Sequence, residues 1–382
     1  MQYGKKLLHL WQLDKSVTFL NHGSFGATPK IILAEKYNWS LKMETQPVEF
    51  YLDKYPILLR ESIETLASFV GADPKDMTFV ENATTGVNTV IRSLLPDFLK
   101  GGEITITNHT YPAVKNTAKY MSSVTGAKIN EIEIPIPIES DEQILEQMDK
   151  QLSDKTKLAI FDHVSSPTGI VFPIKKIVEL CRKKGIKVMV DGAHAPGMVD
   201  LNINDIAADW YTGNCHKWLF APKGSAFLWT SPENQSQTHP LNISLEFEQG
   251  YEKEFDWTGT KNPTAWLSVP AGIKFFYEYG GDEIKDYNHN LVTEAGEMLC
   301  DSSEFTAVSP KENIGSIFSF MKEKNVDQKY CSSIRKKLLD EFKIEVPIFA
   351  FGNKLIIRIS AQIYNQLSDY QRLSEAIKII NL

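Results

Sequence analysis

The sequence predicts an α/β fold, with a large domain built on a mostly parallel sheet and a smaller α+β domain after it. Short apolar runs typical of strands alternate with amphipathic helices as far as about residue 280, which is the order of a doubly wound sheet. From about residue 288 the pattern changes to helices with one clear strand. A chain of 382 residues is long enough for two domains. We place them at 16–286 and 287–382, with residues 1–15 packing on the smaller one.

The composition excludes several classes of protein. Net charge is −7 and no run of lysines and arginines is long enough to suggest a nucleic-acid footprint, so we expect no nucleic-acid partner. No apolar run is long enough to span a bilayer, and residues 1–11 lack the apolar core of a secretory signal, so we expect no membrane partner. The four cysteines lie far apart without C-x-x-C spacing, which indicates a cytoplasmic protein without disulfides or a metal site.

Strands are recognised as short runs of β-branched, aromatic and aliphatic residues. They are expected at 17–20, 77–80, 103–107, 157–162, 186–190, 209–212, 225–229 and 354–360, whereas 316–321 alternates too poorly to assign. Helices are recognised by apolar residues every three or four positions. They are expected at 49–70, 82–95, 113–124, 141–152, 173–184, 262–279 and 327–342, and from 288 and 368 onward. Pro56 should kink the first of these helices or mark its true start.

Two charged side chains that follow neighbouring strands define the candidate site. Asp191 comes directly after the run 186–190, and Lys217 follows the next strand on a loop that contains a glycine. A lysine amine forms a Schiff base with an aldehyde, and an aspartate holds a protonated pyridine nitrogen. Together they indicate pyridoxal 5′-phosphate (PLP) as the cofactor. A surface lysine and a helix-capping aspartate would explain either residue alone, but not both in this order at strand ends.

Four further loops follow predicted strands and should meet at the same edge of the sheet. They are residues 21–27, 82–86, 108–112 and 163–169. The glycines of the first loop let the backbone approach a ligand closely. The second opens a helix whose N–H groups and hydroxyls suit a phosphate, although a plain N-cap by Asn82 or Thr84 would explain it too. In the third, Tyr111 could stack on a flat cofactor or pack under the following helix.

Several short motifs resemble those of a known enzyme family. Asp191-Gly-Ala-His194, followed by His216-Lys217, resembles the fold-type I PLP enzymes of the class V aminotransferase group. That group includes cysteine desulfurases, selenocysteine lyases and isopenicillin N epimerases. Further motifs resemble the isopenicillin N epimerase-like branch: Leu20-Asn-His-Gly-Ser-Phe-Gly, Ser166-Pro-Thr-Gly-Ile, Cys215-His-Lys-Trp-Leu, Trp257-Thr-Gly-Thr and Arg358-Ile-Ser-Ala-Gln-Ile-Tyr-Asn.

The resemblance implies how the reacting groups are held. Lys217 would carry the Schiff base, Asp191 would pair with the pyridine N–H, and His194 would lie near the phenolate oxygen of the ring. Arg358 would bind the α-carboxylate of an amino-acid substrate, because a planar guanidinium suits a carboxylate. Asn21 would lie beside that carboxylate.

The resemblance also implies how the phosphate is held. Ala83, Thr84 and His216 would contact it from one copy of the chain. Thr260, in the Trp257-Thr-Gly-Thr motif, would reach it from a second copy. This arrangement implies a homodimer with shared active sites.

Two departures separate this chain from the cysteine desulfurases. Those enzymes stack a histidine on the ring, where this chain has Asn108-His109-Thr110-Tyr111. Either His109 or Tyr111 could stack here, and we favour Tyr111 as a catalytic residue. The desulfurases also carry a nucleophilic cysteine shortly before the carboxylate-binding arginine, whereas residues 342–357 contain none. The nearest upstream cysteine, Cys331, lies on a predicted helix, so a persulfide relay has no nucleophile.

These features predict a PLP enzyme acting at the α- or β-carbon of an amino acid. Lys217 would shuttle protons at Cα while the ring delocalises the negative charge. Epimerisation, C–S cleavage and transamination share this start, and the branch resemblance favours an epimerase-like or C–S lyase-like enzyme over an aminotransferase. Two alternatives stay open: a cofactor-free Schiff-base aldolase, which leaves Asp191 without a role, and a non-catalytic protein that keeps the fold.

Overall fold

A seven-stranded sheet lies at the centre of the computed structural model, which describes residues 2–94 and 96–382. The strands are β1 (Thr18–Phe19), β2 (Met77–Val80), β3 (Glu103–Thr107), β4 (Lys128–Ile132), β5 (Thr156–Asp162), β6 (Lys187–Asp191), β7 (Trp210–Asn214), β8 (Ala226–Thr230), β9 (Thr306–Ala307), β10 (Ile317–Glu323), β11 (Ile344–Glu345), β12 (Ile348–Phe351) and β13 (Lys354–Ser360). The predicted helix end at Leu95, and Met1 of the N-terminal segment, lie outside the described residues.

The helices are α1 (His22–Phe25), α2 (Lys30–Thr45), α3 (Pro47–Glu49), α4 (Tyr55–Val70), α5 (Ala83–Ser93), α6 (Pro96–Leu99), α7 (Pro112–Thr125), α8 (Asp141–Gln151), α9 (Ile174–Lys183), α10 (Ile203–Ile206), α11 (Tyr251–Asp256), α12 (Thr264–Leu267), α13 (Val269–Glu278), α14 (Asp282–Asp301), α15 (Gln328–Phe342) and α16 (Leu367–Ile380). Shorter 3-10 segments lie at Lys5–Leu10, Pro74–Asp76, Pro232–Gln237 and Lys311–Asn313. Within the described residues, no helix combines the length and the apolar character needed to cross a bilayer.

The strand order of the large sheet is β2-β8-β7-β6-β5-β3-β4. Strands β4, β3, β5, β6 and β7 run parallel, whereas β8 runs antiparallel to both β7 and β2. The expected pairing of strand 225–229 beside the strand before Lys217 is therefore confirmed. Because parallel strands end at the same edge, the loops after β3, β5, β6 and β7 meet there.

Alternate residues along the central strands face two layers of helices. In β5, Ala159 and Phe161 lie in the core that contains α4, α8 and α9. Leu158 and Ile160 lie in the opposite core, with α5 and α7. As the spacing of its apolar residues predicts, α9 buries Ile174, Ile177, Val178 and Cys181.

Pro56 marks the start of a regular helix. It lies in the first turn of α4, and residues 50–54 before it form a π-helical segment. A proline has no N–H to donate, and at a first turn that N–H would have no partner inside the helix. The predicted helix 49–70 is therefore interrupted, and the second of the two expectations for Pro56 is confirmed.

The C-terminal part is an α+β unit that also holds an N-terminal strand. Its antiparallel sheet has the order β12-β13-β10-β9, with α14 packed on β10 and α15 on β12. Strand β1 pairs in parallel with β11, and Leu20 joins the core of this unit. Trp11, in contrast, packs against Phe220 and Phe275. The boundaries at 16–286 and 287–382 stay a prediction.

The sequence patterns missed four strands, β4, β9, β11 and β12, and misjudged two other segments. Strand β4 lies at a sheet edge, where side chains reach solvent and the apolar pattern is weak. Strands β9 and β11 have only two residues each, and β12 is a run of four apolar residues that the patterns overlooked. Residues 316–321 alternate poorly because β10 is buried on both faces over Ile317–Met321. The helix expected from 288 begins earlier, at Asp282, directly after the Gly280-Gly281 pair.

Candidate active site

Lys217 and Asp191 lie together at the carboxyl edge of the large sheet. Asp191 is the last residue of β6, and Lys217 follows the end of β7 by three residues. The two strands are parallel neighbours, with Asp191 opposite Thr212. Both side chains are buried. The fold therefore brings together the pair that the sequence singled out.

The Lys217 amine contacts His194, and Trp218 determines the nature of that contact. Nζ lies 3.1 Å from Nε2 of His194, and Nε1 of Trp218 donates to Nδ1 at 3.3 Å. Burial, followed by the charge of Lys217, holds the pKa of His194 well below its usual range, so the ring is neutral. An indole N–H can only donate. Nδ1 therefore accepts, the ring proton lies on Nε2, and Lys217 accepts that proton as a neutral amine.

The charge state of Lys217 is consistent with this hydrogen bonding. Burial lowers its pKa to about 7, and the guanidinium of Arg358 acts in the same direction. The carboxylates of Asp191 and Asp162 oppose this shift. An amine that titrates near neutral pH is available there as a base and as a nucleophile.

Asp162 is a second buried carboxyl beside Asp191. It is the last residue of β5 and lies opposite Asp191 in the sheet. Burial and the charge of Asp191 hold the pKa of Asp162 well above its usual range. Its Oδ2 is buried without a hydrogen-bond partner among the described residues.

The two carboxyls are not equivalent. Burial also raises the pKa of Asp191, but the N–H of Ala193 donates to its Oδ1 at 3.0 Å, which favours its ionised form. Adjacent buried carboxyls do not both ionise readily. The pair therefore holds its proton preferentially on Asp162, which leaves Asp191 as the anion.

The N-terminus of α5 offers an open backbone position for an anion. Asn82 caps the helix, with its Oδ1 accepting from the N–H of Thr85 at 2.9 Å. The N–H of Ala83 donates to Oδ1 of Asn214 at 2.9 Å. The N–H and hydroxyl of Thr84 donate to none of the described residues. A phosphate here would meet Thr84 directly, whereas Ala83 would first have to release Asn214.

His216 and Thr260 occupy different environments. Nδ1 of His216 donates to the carbonyl of Ser225 at 2.9 Å, and burial lowers the pKa of the ring to about 4. Its Nε2 therefore carries a lone pair. Thr260 is exposed on the loop between α11 and α12.

Arg358 is a buried cation without a carboxylate partner among the described residues. It lies in β13, where Nη2 donates to the hydroxyl of Ser24 at 3.0 Å and Nη1 to the carbonyl of Ser166. Its Nε is buried and unpartnered in the described structure. Burial lowers its pKa to about 10. A desolvated guanidinium of this kind favours binding of an anion.

Asn21 reaches Arg358 through Ser24. The Ser24 hydroxyl donates to Oδ1 of Asn21 at 2.5 Å and accepts from Arg358. Nδ2 of Asn21 donates to Glu345 at 2.9 Å. Arg335 donates to both oxygens of Glu345, at 3.0 and 2.6 Å. This chain of bonds orients Ser24, so Asn21 acts on the guanidinium indirectly.

The two candidates for stacking differ in exposure. His109 is buried, its Nε2 donates to the carbonyl of Ile134 at 3.0 Å, and its Nδ1 accepts from the hydroxyl of Thr168 at 2.8 Å. The ring of Phe351 packs on it at 4.9 Å. Tyr111 precedes α7 and is 42% exposed. Since His109 is buried and the ring of Phe351 packs against it, these contacts favour Tyr111, whose stacking stays a prediction.

The N-terminal glycine loop packs on the backbone of the lysine. Gly26 has a φ of 69°, and a Cβ there would lie 2.1 Å from the carbonyl oxygen of His216. Nε2 of His22 donates to the carbonyl of Lys217 at 2.9 Å, and its Nδ1 accepts from Tyr364 at 2.9 Å. The close approach that the sequence suggested for a ligand is made here by the protein backbone itself.

The thiols of the chain are poorly placed for nucleophilic chemistry. Cys215 is buried, and burial raises its pKa. Cys331 is buried on α15. Phe349 and Phe351 occupy the strand before Arg358, where the resemblance would place a desulfurase cysteine.

Sequence reasoning missed three contributors to the site. Asp162 carried a usable signal, because it ends β5 as Asp191 ends β6. Trp218 and Ser24 lie within two of the family motifs, but nothing local indicated their roles, because their partners His194 and Arg358 are remote in sequence.

The described groups fit PLP. The neutral amine of Lys217 suits an aldehyde, and the anionic Asp191 suits a protonated ring nitrogen. The open N-terminus of α5 at Thr84 suits a phosphate. The guanidinium of Arg358, which has no carboxylate partner in the described part of the chain, suits the carboxylate of an amino acid.

Known proteins resemble this chain over almost its whole length. The family model described as aminotransferase class-V matches residues 55–373. A protein of Arabidopsis thaliana named probable L-cysteine desulfhydrase, chloroplastic, is 32% identical over 399 residues, covering 95% of this chain and 83% of that protein. Isopenicillin N epimerase of Amycolatopsis lactamdurans is 29% identical over 384 residues, covering 96% of each chain.

Solved structures share the fold. A cysteine desulfurase from Thermococcus onnurineus NA1 has a TM-score of 0.80 at 20% identity, covering 100% of this chain and 98% of that one. The cystine C–S lyase C-DES has a TM-score of 0.79 at 19% identity, covering 95% of this chain and 97% of that one. The fold is therefore that of the fold-type I PLP enzymes. Together with the family model and the 32% relative, it shows that the chain belongs to the class V aminotransferase family, whose cofactor is PLP.

Proposed function

We propose that this chain moves a proton at Cα of an L-amino acid, with Lys217 as the base. The observation that carries the proposal is the buried amine of Lys217, 3.1 Å from Nε2 of His194 and with a pKa lowered to about 7. A general base must be unprotonated at the working pH and held where the substrate binds. The charges of Asp191 and Arg358 both act on this amine, which supports a common site for cofactor and substrate.

Residues of the candidate site would hold the cofactor. Lys217 would bind its aldehyde carbon, Asp191 its ring nitrogen and Thr84 its phosphate, with Tyr111 against the ring. His216 would join the phosphate only by sharing a proton between Nε2 and a phosphate oxygen, because its Nδ1–H already donates to a backbone carbonyl. When bound, PLP withdraws electrons from the bonds at Cα.

The residues of the chain would then act in sequence. Arg358 would bind the α-carboxylate through two parallel hydrogen bonds. Lys217 would take the Cα proton and hold it away from water, since the amine is buried. When the amine of Lys217 reacts, the Nε2–H of His194 would lose its acceptor. This N–H could then donate to an oxygen of the cofactor.

Two products of this shared step are supported. Epimerisation at Cα is the first candidate, because the motifs resemble the epimerase-like branch and the Amycolatopsis lactamdurans relative bears that name at 29% identity. Elimination with C–S cleavage is the second, because relatives named L-cysteine desulfhydrase are 29 to 32% identical. None of these relatives is named as an aminotransferase, so they do not favour transamination.

Incubation of the holoenzyme with L-amino acids in deuterated water distinguishes the products. Deuterium at Cα with loss of optical activity indicates epimerisation, and a keto acid with ammonia and a released thiol indicates elimination. Conversion of the cofactor to its amine form indicates transamination. If Cα hydrogen never exchanges with any amino acid, the proposal fails.

We further propose that the chain forms a homodimer with shared sites. Thr260, expected at the phosphate of a partner, is exposed. Large apolar side chains are also exposed on α2 and on neighbouring segments, which favours an interface between copies. They include Phe25, Ile31, Leu33, Tyr37, Leu41 and Leu52, and in a second segment Leu241, Ile243, Leu245 and Phe247.

Sedimentation across a dilution series tests the dimer. A Thr260→Ala variant should remain dimeric but bind PLP more weakly, because it loses a phosphate contact. A monomer with full activity at high dilution would refute shared sites.

We also propose a cytoplasmic location. Its support is that all four cysteines are free thiols, as is common in reducing compartments. Fractionation of cells that express the tagged chain tests it, and recovery with a membrane or secreted fraction would refute it.

A further inference from the structure

A cleft of about 930 Å³ opens beside Arg358. Tyr111, Ser166 and Phe349 are among the residues that line it. Arg358 donates to the carbonyl of Ser166 and lies 5.2 Å from the ring of Phe349. The cleft therefore begins where the proposed function binds the substrate carboxylate. Its volume is in the range of about 300–1,000 Å³ that accommodates drug-sized ligands, whereas the side chain of cysteine has only two heavy atoms.

One side of the cleft is apolar, whereas polar and charged residues line much of the rest. Phe349 and Phe351 lie two residues apart on β12 and both line it, together with Ile134, Ile136 and Pro167. Residues two apart on a strand share one face, so the hairpin that carries Arg358 also presents two aromatic rings. Burying an apolar or aromatic substituent against these rings is favourable.

The cations that line the cleft are already paired. Nζ of Lys115 lies 2.5 Å from a carboxylate oxygen of Glu131, and Nζ of Lys354 lies 3.0 Å from Glu323. Lys115 and Lys354 are the two cations among the described residues that line the cleft. A second carboxylate on the substrate would have to compete for a partnered lysine, whereas an uncharged group would not.

We propose that this cleft binds the side chain of the substrate, and that the side chain is long, uncharged and largely apolar or aromatic, as in an S-alkyl or S-aryl conjugate of cysteine. The inference rests on the proposed function, because it takes Arg358 as the clamp for the α-carboxylate. It names the substrate class of that same site and excludes free cysteine as the preferred ligand.

Binding to the PLP-loaded protein tests the inference without turnover. Calorimetry on the Lys217→Ala holoenzyme gives dissociation constants for L-cysteine, S-benzyl-L-cysteine and S-carboxyethyl-L-cysteine. We expect S-benzyl-L-cysteine to bind at least about tenfold more tightly than L-cysteine, because the benzyl group leaves water for the apolar side of the cleft. S-carboxyethyl-L-cysteine should show no such gain.

Variants test whether the gain in affinity for the benzyl compound arises in the cleft. Phe351→Ala, which removes a wall, and Phe351→Asp, which also places a charge there, should each abolish most of the preference for the benzyl compound. They should leave the affinity for L-cysteine within about twofold. Ile379→Ala, an exposed apolar position on the last helix, should change neither constant. Melting temperatures check that each variant is folded.

The outcomes separate the two proposals. Equal affinity for L-cysteine and its benzyl conjugate, or a preference unchanged in both cleft variants, overturns the inference and leaves the proposed function standing. A preference for the acidic conjugate also overturns it. If no L-amino acid binds, both fail.

Discussion

The indole N–H of Trp218 donates to Nδ1 of His194 at 3.3 Å, and this bond favours the neutral form of the neighbouring lysine. It commits the imidazole proton to Nε2, which faces Nζ of Lys217 at 3.1 Å. Lys217 must then accept, which it can do only as a neutral amine. Trp218 acts here through His194 and is a positioning residue.

Replacing Trp218 with Phe should raise the pKa of Lys217. Without the indole donor, His194 can place its proton on Nδ1 and accept from a lysine ammonium at Nε2. The expected rise from about 7 is on the order of one pH unit. The amine is reactive above its pKa, so the pH midpoint for trapping pyridoxal on the apoenzyme with borohydride should move upward.

Trp229→Phe is the matched control, because Trp229 is buried and its N–H has no partner among the described residues. It should leave the midpoint near that of the unmodified protein. A folded Trp218→Phe protein with an unchanged midpoint would contradict this role for the indole.

Lys217→Ala should abolish the borohydride-trapped adduct with PLP. The proposed phosphate contacts of Thr84 would remain, so reversible binding of PLP should persist at lower affinity. Lys223→Ala is the control, since Lys223 lies near in sequence but is exposed. Mass spectrometry of tryptic peptides locates the adduct, and an adduct at any other lysine would reject the assignment.

Asp162→Asn and Asp191→Asn should differ in effect. Asparagine resembles a protonated carboxyl, the form that burial and the neighbouring charge favour at Asp162. We expect Asp162→Asn to retain Cα deuterium exchange within about tenfold, and Asp191→Asn to lose on the order of a hundredfold or more, because the ring nitrogen loses its anion. Equal losses would mean that the proton does not reside on Asp162.

Arg358→Lys should weaken the binding of amino acids while leaving PLP binding intact. Lysine keeps the charge but lacks the planar fork that matches a carboxylate. We expect at least about tenfold weaker binding of L-amino acids, measured from the change in absorption of bound PLP. The corresponding amines without a carboxylate serve as controls and should bind equally to both proteins.

L-Cysteine should leave no persulfide on the protein. Burial raises the pKa of Cys215, and Phe349 and Phe351 occupy the strand before Arg358. Intact mass measurement after incubation with L-cysteine should show no added sulfur atom. An added sulfur, mapped to any of the four cysteines, would show a nucleophile that these contacts do not suggest.

Much of the fold followed from local patterns. Strands 77–80, 103–107 and 354–360 agree with β2, β3 and β13 residue for residue, because buried strands carry dense apolar runs between turn residues. The edge strand β4 was missed, since an edge strand needs few apolar residues, and β12 was missed although its four residues are all apolar. Asp191 and Lys217 were recognisable because the ends of neighbouring parallel strands meet at one edge.

By itself, the sequence determined the α/β class, the position of Asp191 and Lys217 at strand ends, and the absence of a cysteine before Arg358. Only the tertiary structure decided the state of those groups. Burial lowers the pKa of Lys217 and favours a proton on Asp162, and Trp218 orients the proton of His194. These effects depend on desolvation and on distances between residues remote in the chain, and local residue patterns contain neither.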